Sequence, residues 1–307
     1  MPVEIASVLA KMAMLVLLML VGYLCARLRV TGPEFNRRAT PVVMNVLLPA
    51  TILNSVIGSE EPVSGTVLLG YLGVLFLALL LCFVAAWLAV WLLRARGDER
   101  GVLWLTMAFS NNAFVGFPVV EVVFGPAAVF YAAISNIPFN LMLYTVGTAQ
   151  LQQGEGRRMN WKQVLSTPLV ATLLAAVLFL TRVPVPQVLG DTISTLAAAT
   201  IPMSLLIVGT SLGGIPVKKA FGSARVYLAA AVRLLAAPVL VWLVLRLFVR
   251  DPVMLGIPVI IAACPSAMII TVLCLRYGRD DSLSSEVIFV STVFSAVTIP
   301  LLLWLLF

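Results

Sequence analysis

The sequence predicts an all-α polytopic membrane protein with ten transmembrane helices. Its composition is the first indication: of 307 residues, 62% are hydrophobic, only 11% are charged, and the mean hydropathy is +1.09. A soluble domain has about 45–50% apolar and about 25% charged residues. The second indication is that the apolar residues gather in windows of about 20 residues, the length that spans a bilayer core about 30 Å thick.

Ten such windows follow one another along the chain, separated by polar loops. In order, the predicted spans cover roughly residues 5–27, 38–57, 66–93, 102–124, 127–150, 164–181, 190–213, 224–249, 253–275 and 284–306.

The charges of the loops alternate from one loop to the next. The Lys and Arg residues lie in or beside the loops that follow odd-numbered spans, with the exception of Lys11, Arg182, Arg233, Arg246 and Arg250. The loop after span 2 is acidic, with Glu60 and Glu61. The positive-inside rule therefore predicts cytoplasmic odd-numbered loops and both termini outside, in the inner membrane of the cell. The net charge of +7 then reflects topology and contact with anionic membrane lipid, and nucleic acid is not expected as a partner.

Ten spans with both termini on one side divide into two five-helix repeats of opposite orientation. The predicted repeats are residues 1–151 and 164–307, joined by a cytoplasmic linker at 152–163. At one constant offset Pro49 falls on Pro202, Gly125 falls on Gly278, and Asn112 lies opposite Pro265. Inverted repeats of this kind place a binding site at the bilayer midplane, where corresponding helices are interrupted.

Two predicted spans are interrupted by polar and helix-breaking residues. Span 4 contains Asn111, Asn112, Gly116 and Pro118, and span 9 contains Cys264, Pro265 and Ser266. Both interruptions lie roughly 15–18 Å into the membrane at 1.5 Å per residue. Irregular backbone survives at that depth only when it is buried in protein or lines a cavity. The half-helices that begin there direct positive N-terminal ends at the centre, which favours a carboxylate. Ordinary proline kinks are the alternative.

These stretches resemble the auxin efflux carrier family of membrane transporters, in particular its compact bacterial members. The resemblance covers essentially the whole chain and includes NVLLPA at 45–50, IP at 201–202 with Gly209 and Gly213, and ACPSA at 263–267. It implies a fold similar to plant PIN auxin carriers, bile acid symporters and sodium/proton antiporters of the NhaA type. In such a fold spans 1, 2, 6 and 7 form a scaffold, often a homodimer interface, and spans 3–5 and 8–10 form a mobile transport unit. The family commonly has two prolines at the second crossover, where this chain has Cys264 and Pro265.

The resemblance also implies roles for the residues of the two breaks. Asn111 and Asn112 are expected to contact substrate or to cap freed backbone groups. Gly116, Pro118, Cys264 and Pro265 are expected to shape the crossover, and Ser266 to donate a hydrogen bond beside it.

Two residues outside the breaks, Asn54 and Arg233, complete the predicted substrate-binding set, and Glu121 is a separate candidate. Asn54 in span 2 either faces the site or bonds a neighbouring helix. Arg233 lies near mid-depth in span 8, where a charge is a functional hypothesis by default, although bonds to carbonyls are the alternative. Glu121 in span 4 is a possible charge partner or proton carrier, or else faces the outer vestibule.

The sequence thus predicts a carrier or facilitator of small organic anions that needs no cofactor or bound metal. The resemblance implies auxin-like or dicarboxylate substrates, held at the crossover of helices 4 and 9 and exported by an elevator-type alternating-access mechanism. Proton- or sodium-coupled symport of organic acids, and a receptor that binds them without transport, are the alternatives. An intramembrane enzyme is not expected, because the chain has no histidine for a Ser/His pair and no paired-aspartate motif.

Overall fold

The computed structural model describes residues 5–57, 64–151, 165–214 and 223–306. Within those ranges the chain is helical, and the single β-bridge lies between Ser110 and Ser266. The predicted linker at 152–163, the acidic pair Glu60 and Glu61, and the basic pair Lys218 and Lys219 lie outside the described residues.

Seventeen α-helices are numbered here in chain order within the described residues. They are α1 Ile5–Arg27, α2 Pro33–Val42, α3 Leu48–Asn54, α4 Gly65–Leu92, α5 Gly97–Ala108, α6 Phe117–Phe124, α7 Ala128–Ile134, α8 Asn136–Met142, α9 Thr148–Leu151, α10 Thr167–Thr181, α11 Gln187–Ala198, α12 Thr200–Gly214, α13 Ala224–Ala231, α14 Ala237–Leu245, α15 Pro252–Ala263, α16 Ile269–Arg276 and α17 Ser282–Leu306. Turns of π-helix occupy Val43–Leu47, Asn112–Gly116, Leu143–Gly147 and Val232–Ala236.

Six helical stretches within the described residues are long and apolar enough to cross a membrane. They are Ala10–Arg27, Gly65–Leu92, Ala128–Leu151, Gln187–Gly214, Ala224–Leu245 and Ser282–Leu306. The chain is therefore a multi-pass membrane protein. The other four predicted spans fall on helices that are shorter, interrupted or charged at one end, namely α2 with α3, α5 with α6, α10, and α15 with α16.

Proline explains three of the four π-helical turns. Pro49, Pro118 and Pro238 each lie two residues after the end of such a turn. Proline has no N–H to donate, and its ring clashes with the carbonyl four residues earlier. A wider turn moves that carbonyl aside, so the helix continues past the proline instead of ending there.

The chain forms two compact units, of which the first contains Met1–Gly73, Ala113–Asn136 and Leu165–Gly214. In this unit α1 and α12 pack closely along their length because glycines remove the side chains between them. A Cβ atom added at Gly209 would clash with the carbonyl oxygen of Met19, and one added at Gly213 would lie 2.5 Å from the Cβ of Ala26. Polar side chains support the unit elsewhere: the Thr51 hydroxyl donates to the Thr200 hydroxyl at 2.6 Å.

The second unit contains Val74–Asn112, Ile137–Val164 and Ile215–Phe307. Its apolar core joins α4, α14 and α15, and consists of small and branched side chains: Ala78, Cys82, Ala85, Ala237, Val241, Leu245, Val259 and Ala262. Helix α17 packs against α13, α5 and α15. This arrangement brings the ends of α5 and α15 together, and several of the predicted site residues lie there.

Candidate functional site

The two interruptions predicted in spans 4 and 9 pair with each other inside the second unit. Helix α5 ends at Ala108 and is followed by extended backbone at Phe109; α15 ends at Ala263 and is followed by extended backbone at Cys264. The two extended segments run antiparallel. The Asn111 N–H donates to the Pro265 carbonyl at 2.8 Å, and the Ala267 N–H donates to the Phe109 carbonyl at 3.0 Å. Each segment thereby satisfies backbone groups that the other helix break has freed.

Local sequence explains why both helices stop here. Pro265 has no N–H, and its ring disfavours helical backbone at Cys264, which adopts φ −65° and ψ 151°. On the other segment, short polar side chains offer the backbone an alternative to the helix. The Ser110 hydroxyl donates to Oδ1 of Asn112 at 2.6 Å. The helix restarts at Asn112 with a π-helical turn, so the break is shorter than the polar stretch that predicted it.

Ser266 joins three elements of the second unit. Its N–H donates to the hydroxyl of Ser291 in α17 at 3.1 Å, and its own hydroxyl donates to the carbonyl of Thr106 in α5 at 2.7 Å. The side chain of Ser266 is fully buried. Ser266 therefore donates to a backbone carbonyl of the first half of span 4.

Arg233 lies in the π-helical turn between α13 and α14 and has no exposed surface. Its guanidinium donates four hydrogen bonds to backbone carbonyls at the ends of α5 and α15. Nε donates to Cys264 at 3.0 Å, Nη1 to Met107 at 3.1 Å and Ala108 at 3.3 Å, and Nη2 to Ile261 at 3.1 Å. A helix leaves its last four carbonyls without partners in the helix, and this side chain satisfies several of them at two helices.

The positive charge of Arg233 also balances the partial negative charges at the ends of α5 and α15. The C-terminal end of a helix carries the equivalent of about half a negative charge. Two such ends, those of α5 and α15, converge on one guanidinium with a full positive charge. A buried arginine is costly in a membrane unless its donors are satisfied, and four of its five donor hydrogens are used here. The arrangement offsets the negative ends of both half-helices.

Asn111 and Asn112 lie immediately beside the paired segments and are almost completely buried, with 4% and 5% of their surfaces exposed. Asn112 uses its carbonyl oxygen to accept from Ser110, and Asn111 uses its backbone N–H to hold Pro265. Amide side chains supply both donors and acceptors. The structure thus brings five of the predicted residues together in one unit with Arg233: Asn111, Asn112, Cys264, Pro265 and Ser266.

The remaining predicted residues belong to the first unit. Asn54 is the last residue of α3 and is half-buried, while Gly116 and Pro118 lie within helical backbone at the start of α6. Glu121 follows in α6, and its Oε2 atom is buried without a hydrogen-bond partner among the described residues. Nζ of Lys11 donates to the carbonyl of Val122, the next residue, at 3.3 Å.

Two residues that contact Ser266 were not among those predicted from the sequence. Thr106 accepts the hydrogen bond of Ser266, and Ser291 accepts from its N–H. Ser291 offered a signal, because it is a hydroxyl in the middle of an apolar helix. Among the described residues, no group of three Cys, Asp or Glu side chains is placed to hold a metal ion.

Comparison with known proteins identifies the family. The family model described as "Membrane transport protein" matches residues 7–159 and 155–303 of the chain. The chain belongs to the auxin efflux carrier family. This confirms the resemblance that the broken spans indicated, and it explains the multi-pass architecture.

Proteins similar to this chain are also transporters by name. The chain is 28% identical over 92% of its length to an "Uncharacterized transporter" of Methanothermobacter thermautotrophicus, of which the match covers 93%. It is 25% identical over 94% of its length to a "Putative malonate transporter" of Rhizobium meliloti, of which the match covers 92%. An uncharacterized transporter of Methanocaldococcus jannaschii is 23% identical, over 94% of this chain and 96% of the relative.

Membership in the family fixes the broad activity. The chain is a membrane transporter with a small-molecule substrate, and it is not an enzyme.

Proposed function

We propose that this protein carries small organic anions of the carboxylate class across the membrane. The observation that carries the proposal is the pair of hydrogen-bonded helix breaks in the second unit, with Arg233 at the C-terminal ends of α5 and α15. Arg233 offsets the partial negative charge at the C-terminal ends of α5 and α15. It does not offset the partial positive charge at the N-terminal ends of the helices that restart after the breaks. Helix α16, which restarts at Ile269, is one of them. Such an environment favours an anion over a cation.

The amides of Asn111 and Asn112 are the proposed substrate ligands. An amide N–H donates well to a carboxylate oxygen, and a hydrogen bond to a charged partner is worth about 1.5–3 kcal/mol. A relative named "Putative malonate transporter" supports a carboxylate as the substrate class. Cys264, Pro265 and Ser266 complete the set in this unit, and Asn54, Gly116 and Pro118 remain predicted substrate-binding residues of the first unit.

The proposal includes a topology. Ten spans form two inverted five-helix repeats, 1–151 and 164–307, with the basic loops in the cytoplasm and both termini outside the inner membrane. Broken helices 4 and 9 cross at the membrane centre. Spans 1, 2, 6 and 7 form the scaffold and the homodimer interface, and spans 3–5 and 8–10 form the transport unit. The clustering of Lys and Arg in alternate loops supports the orientation.

The proposed direction is export by alternating access of the elevator type. An inside-negative membrane potential supplies about 2.3 kcal/mol for each negative charge that leaves the cell, per 100 mV. Export of an anion therefore needs no coupling ion.

A proteoliposome assay tests the proposal. Purified protein is reconstituted, and flux of radiolabelled malonate and of indole acetate is measured with the membrane potential set by potassium and valinomycin. We expect flux that follows the potential without a proton or sodium gradient. Because one charged hydrogen bond is lost, Asn112→Ala should raise KM at least about tenfold. Asn45→Ala is the matched control, since Asn45 is exposed and bonds only Thr167 among the described contacts; its KM should not change.

Two results would contradict the proposal. Binding of a carboxylate without flux would make the protein a receptor. Transport of a cation, with no organic acid moved, would exclude the anion site.

Glu121 favours a second candidate function, proton-coupled symport of organic acids. Its Oε2 atom is buried without a hydrogen-bond partner among the described residues, and a proton would relieve that cost. Malonate uptake driven by an inward proton gradient at zero potential, and abolished in Glu121→Gln, would establish this alternative. Uptake driven only by a sodium gradient would establish sodium-coupled symport instead.

A further inference from the structure

A cleft of about 320 Å³ lies at the C-terminal end of α4, within the second unit. Two tryptophans, Trp87 and Trp91, and three arginines, Arg94, Arg96 and Arg100, contribute to its lining. None of these residues takes part in the paired helix breaks. We infer that this cleft is a binding site for an anionic phospholipid, with the phosphate held by the arginines and the acyl region against the tryptophans.

The aromatic half of the cleft faces the membrane. Trp87 and Trp91 are four residues apart and therefore lie on one face of α4. They are 56% and 69% exposed, and their neighbours Leu88 and Leu92 are 47% and 69% exposed. Large exposed apolar side chains on a membrane helix contact lipid chains, and tryptophan is enriched where those chains meet the headgroups. The two indoles thus mark headgroup depth.

The basic half of the cleft begins one turn further along the same face. Helix α4 ends in a turn in which Arg94 adopts a positive φ of 50°, while the Ala95 N–H donates to the Val90 carbonyl at 3.3 Å. This turn reverses the chain, so that Arg96 and the first turn of α5, with Arg100, return to the same cleft. A guanidinium matches phosphate oxygens in a bidentate manner, and three of them surround this space.

The carboxylate of Glu99, in the first turn of α5, is engaged by an arginine outside the cleft. Glu99 binds Nη1 of Arg225 with both oxygens, each at 2.6 Å. No Asp or Glu lines the cleft among residues whose side chains the structure describes. An anion with an attached apolar chain is the ligand that fits three arginines above two exposed indoles. A soluble phosphate would leave the indoles unused.

Native mass spectrometry of the purified protein tests this site. The probe is palmitoyl-oleoyl phosphatidylglycerol, compared with the zwitterionic phosphatidylcholine of the same chains and with soluble glycerol 3-phosphate. A basic residue near an anionic lipid surface contributes about 1 kcal/mol, which is about fivefold in affinity. We expect Arg96→Gln with Arg100→Gln to raise the Kd for phosphatidylglycerol about 25-fold.

The matched control is Arg37→Gln with Arg38→Gln, which removes the same charge from exposed positions of the first unit. Its Kd should stay within twofold of the parent. If the double variant does not elute as folded protein, the single variant Arg100→Gln is measured instead, and its Kd for phosphatidylglycerol should rise about fivefold.

Any of three results would overturn the inference. Phosphatidylcholine is expected to bind more weakly than phosphatidylglycerol, and equal affinity for the two lipids would mean that charge plays no part. An equal rise in the Kd for phosphatidylglycerol in the Arg96/Arg100 and Arg37/Arg38 double variants would mean that only the net charge of the protein matters. Binding of glycerol 3-phosphate as tight as that of the lipid would make the cleft a site for soluble phosphate.

Discussion

The two units of the protein differ in how their central helices are held together. In the first unit α1 and α12 are continuous helices, and glycines such as Gly209 bring their backbones into direct contact. In the second unit α5 and α15 end partway along their predicted spans. Their ends are connected by Arg233, Ser266 and two backbone hydrogen bonds. The first unit also contains polar contacts, such as the Thr51–Thr200 hydrogen bond. What distinguishes the second unit is that its polar groups satisfy backbone freed by two interrupted helices.

The largest effect expected from this comparison is at Arg233. Arg233→Met removes four hydrogen bonds to backbone carbonyls at two helix ends and should lower the free energy of unfolding by at least about 3 kcal/mol. Arg233→Lys should be intermediate, because three donors replace four used ones. Thermal unfolding in detergent measures both.

Arg246→Met is the control for that pair of variants. Arg246 is exposed and lies over the ring of Trp242 at 4.2 Å, so its loss should cost no more than about 1 kcal/mol. Equal melting temperatures for the Arg233→Met and Arg246→Met variants would contradict the role assigned to Arg233.

Gly209→Ala is expected to have the next largest effect, in the other unit. The added methyl group meets the backbone of α1 at Met19 and Tyr23, which cannot move as a side chain end can. We expect a loss of about 1–3 kcal/mol from overpacking. Gly214→Ala on the same helix, where nothing lies within 4 Å of the added atom, should be neutral or stabilising in the same melting experiment. A harmless Gly209→Ala would mean that the two helices are free to separate.

Ser266→Ala should have a smaller effect, of about 1–2 kcal/mol, since it leaves one buried carbonyl of α5 without its donor. It should also reduce the rate of malonate flux, because the two helix ends lose one of their connections. Ser295→Ala removes a hydroxyl that donates within its own helix, to Thr292 at 2.8 Å, and should change neither quantity. Similar losses in both variants would show that a buried hydroxyl, and not its place between two breaks, is what counts.

The smallest effect is expected at Glu34, on the surface of the first unit. Hydrogen bonds from Arg37 and then Arg38 lower the pKa of the Glu34 carboxyl below its ordinary value of 4.5. A lowered pKa means that the contribution to stability is present above the ordinary pKa and is lost as the pH falls through the lowered one. The carboxyl is exposed and screened by solvent. Melting curves of Glu34→Gln and the parent should therefore coincide at neutral pH in moderate salt; a clear difference there would contradict this.

The membrane helices and the two helix breaks were predictable, because they follow from the types of residue present. Apolar windows indicated the membrane helices, and Asn111, Asn112 and Pro265 indicated the two breaks, since amides and proline disrupt helices. The depth of Arg233 in an apolar span marked it as unusual. Its partners were not predictable, because they are carbonyl groups, which every residue has. The π-helical turns before Pro49, Pro118 and Pro238 escaped notice for a related reason, since a helix can also accommodate a proline by kinking.

The reliance of Arg233 on carbonyl groups has a consequence for how sequences of this kind can change. Substitutions at Met107, Ala108, Ile261 and Cys264 alter side chains but leave the acceptors of the guanidinium in place. The side chains beside the break can therefore vary while the break itself is kept.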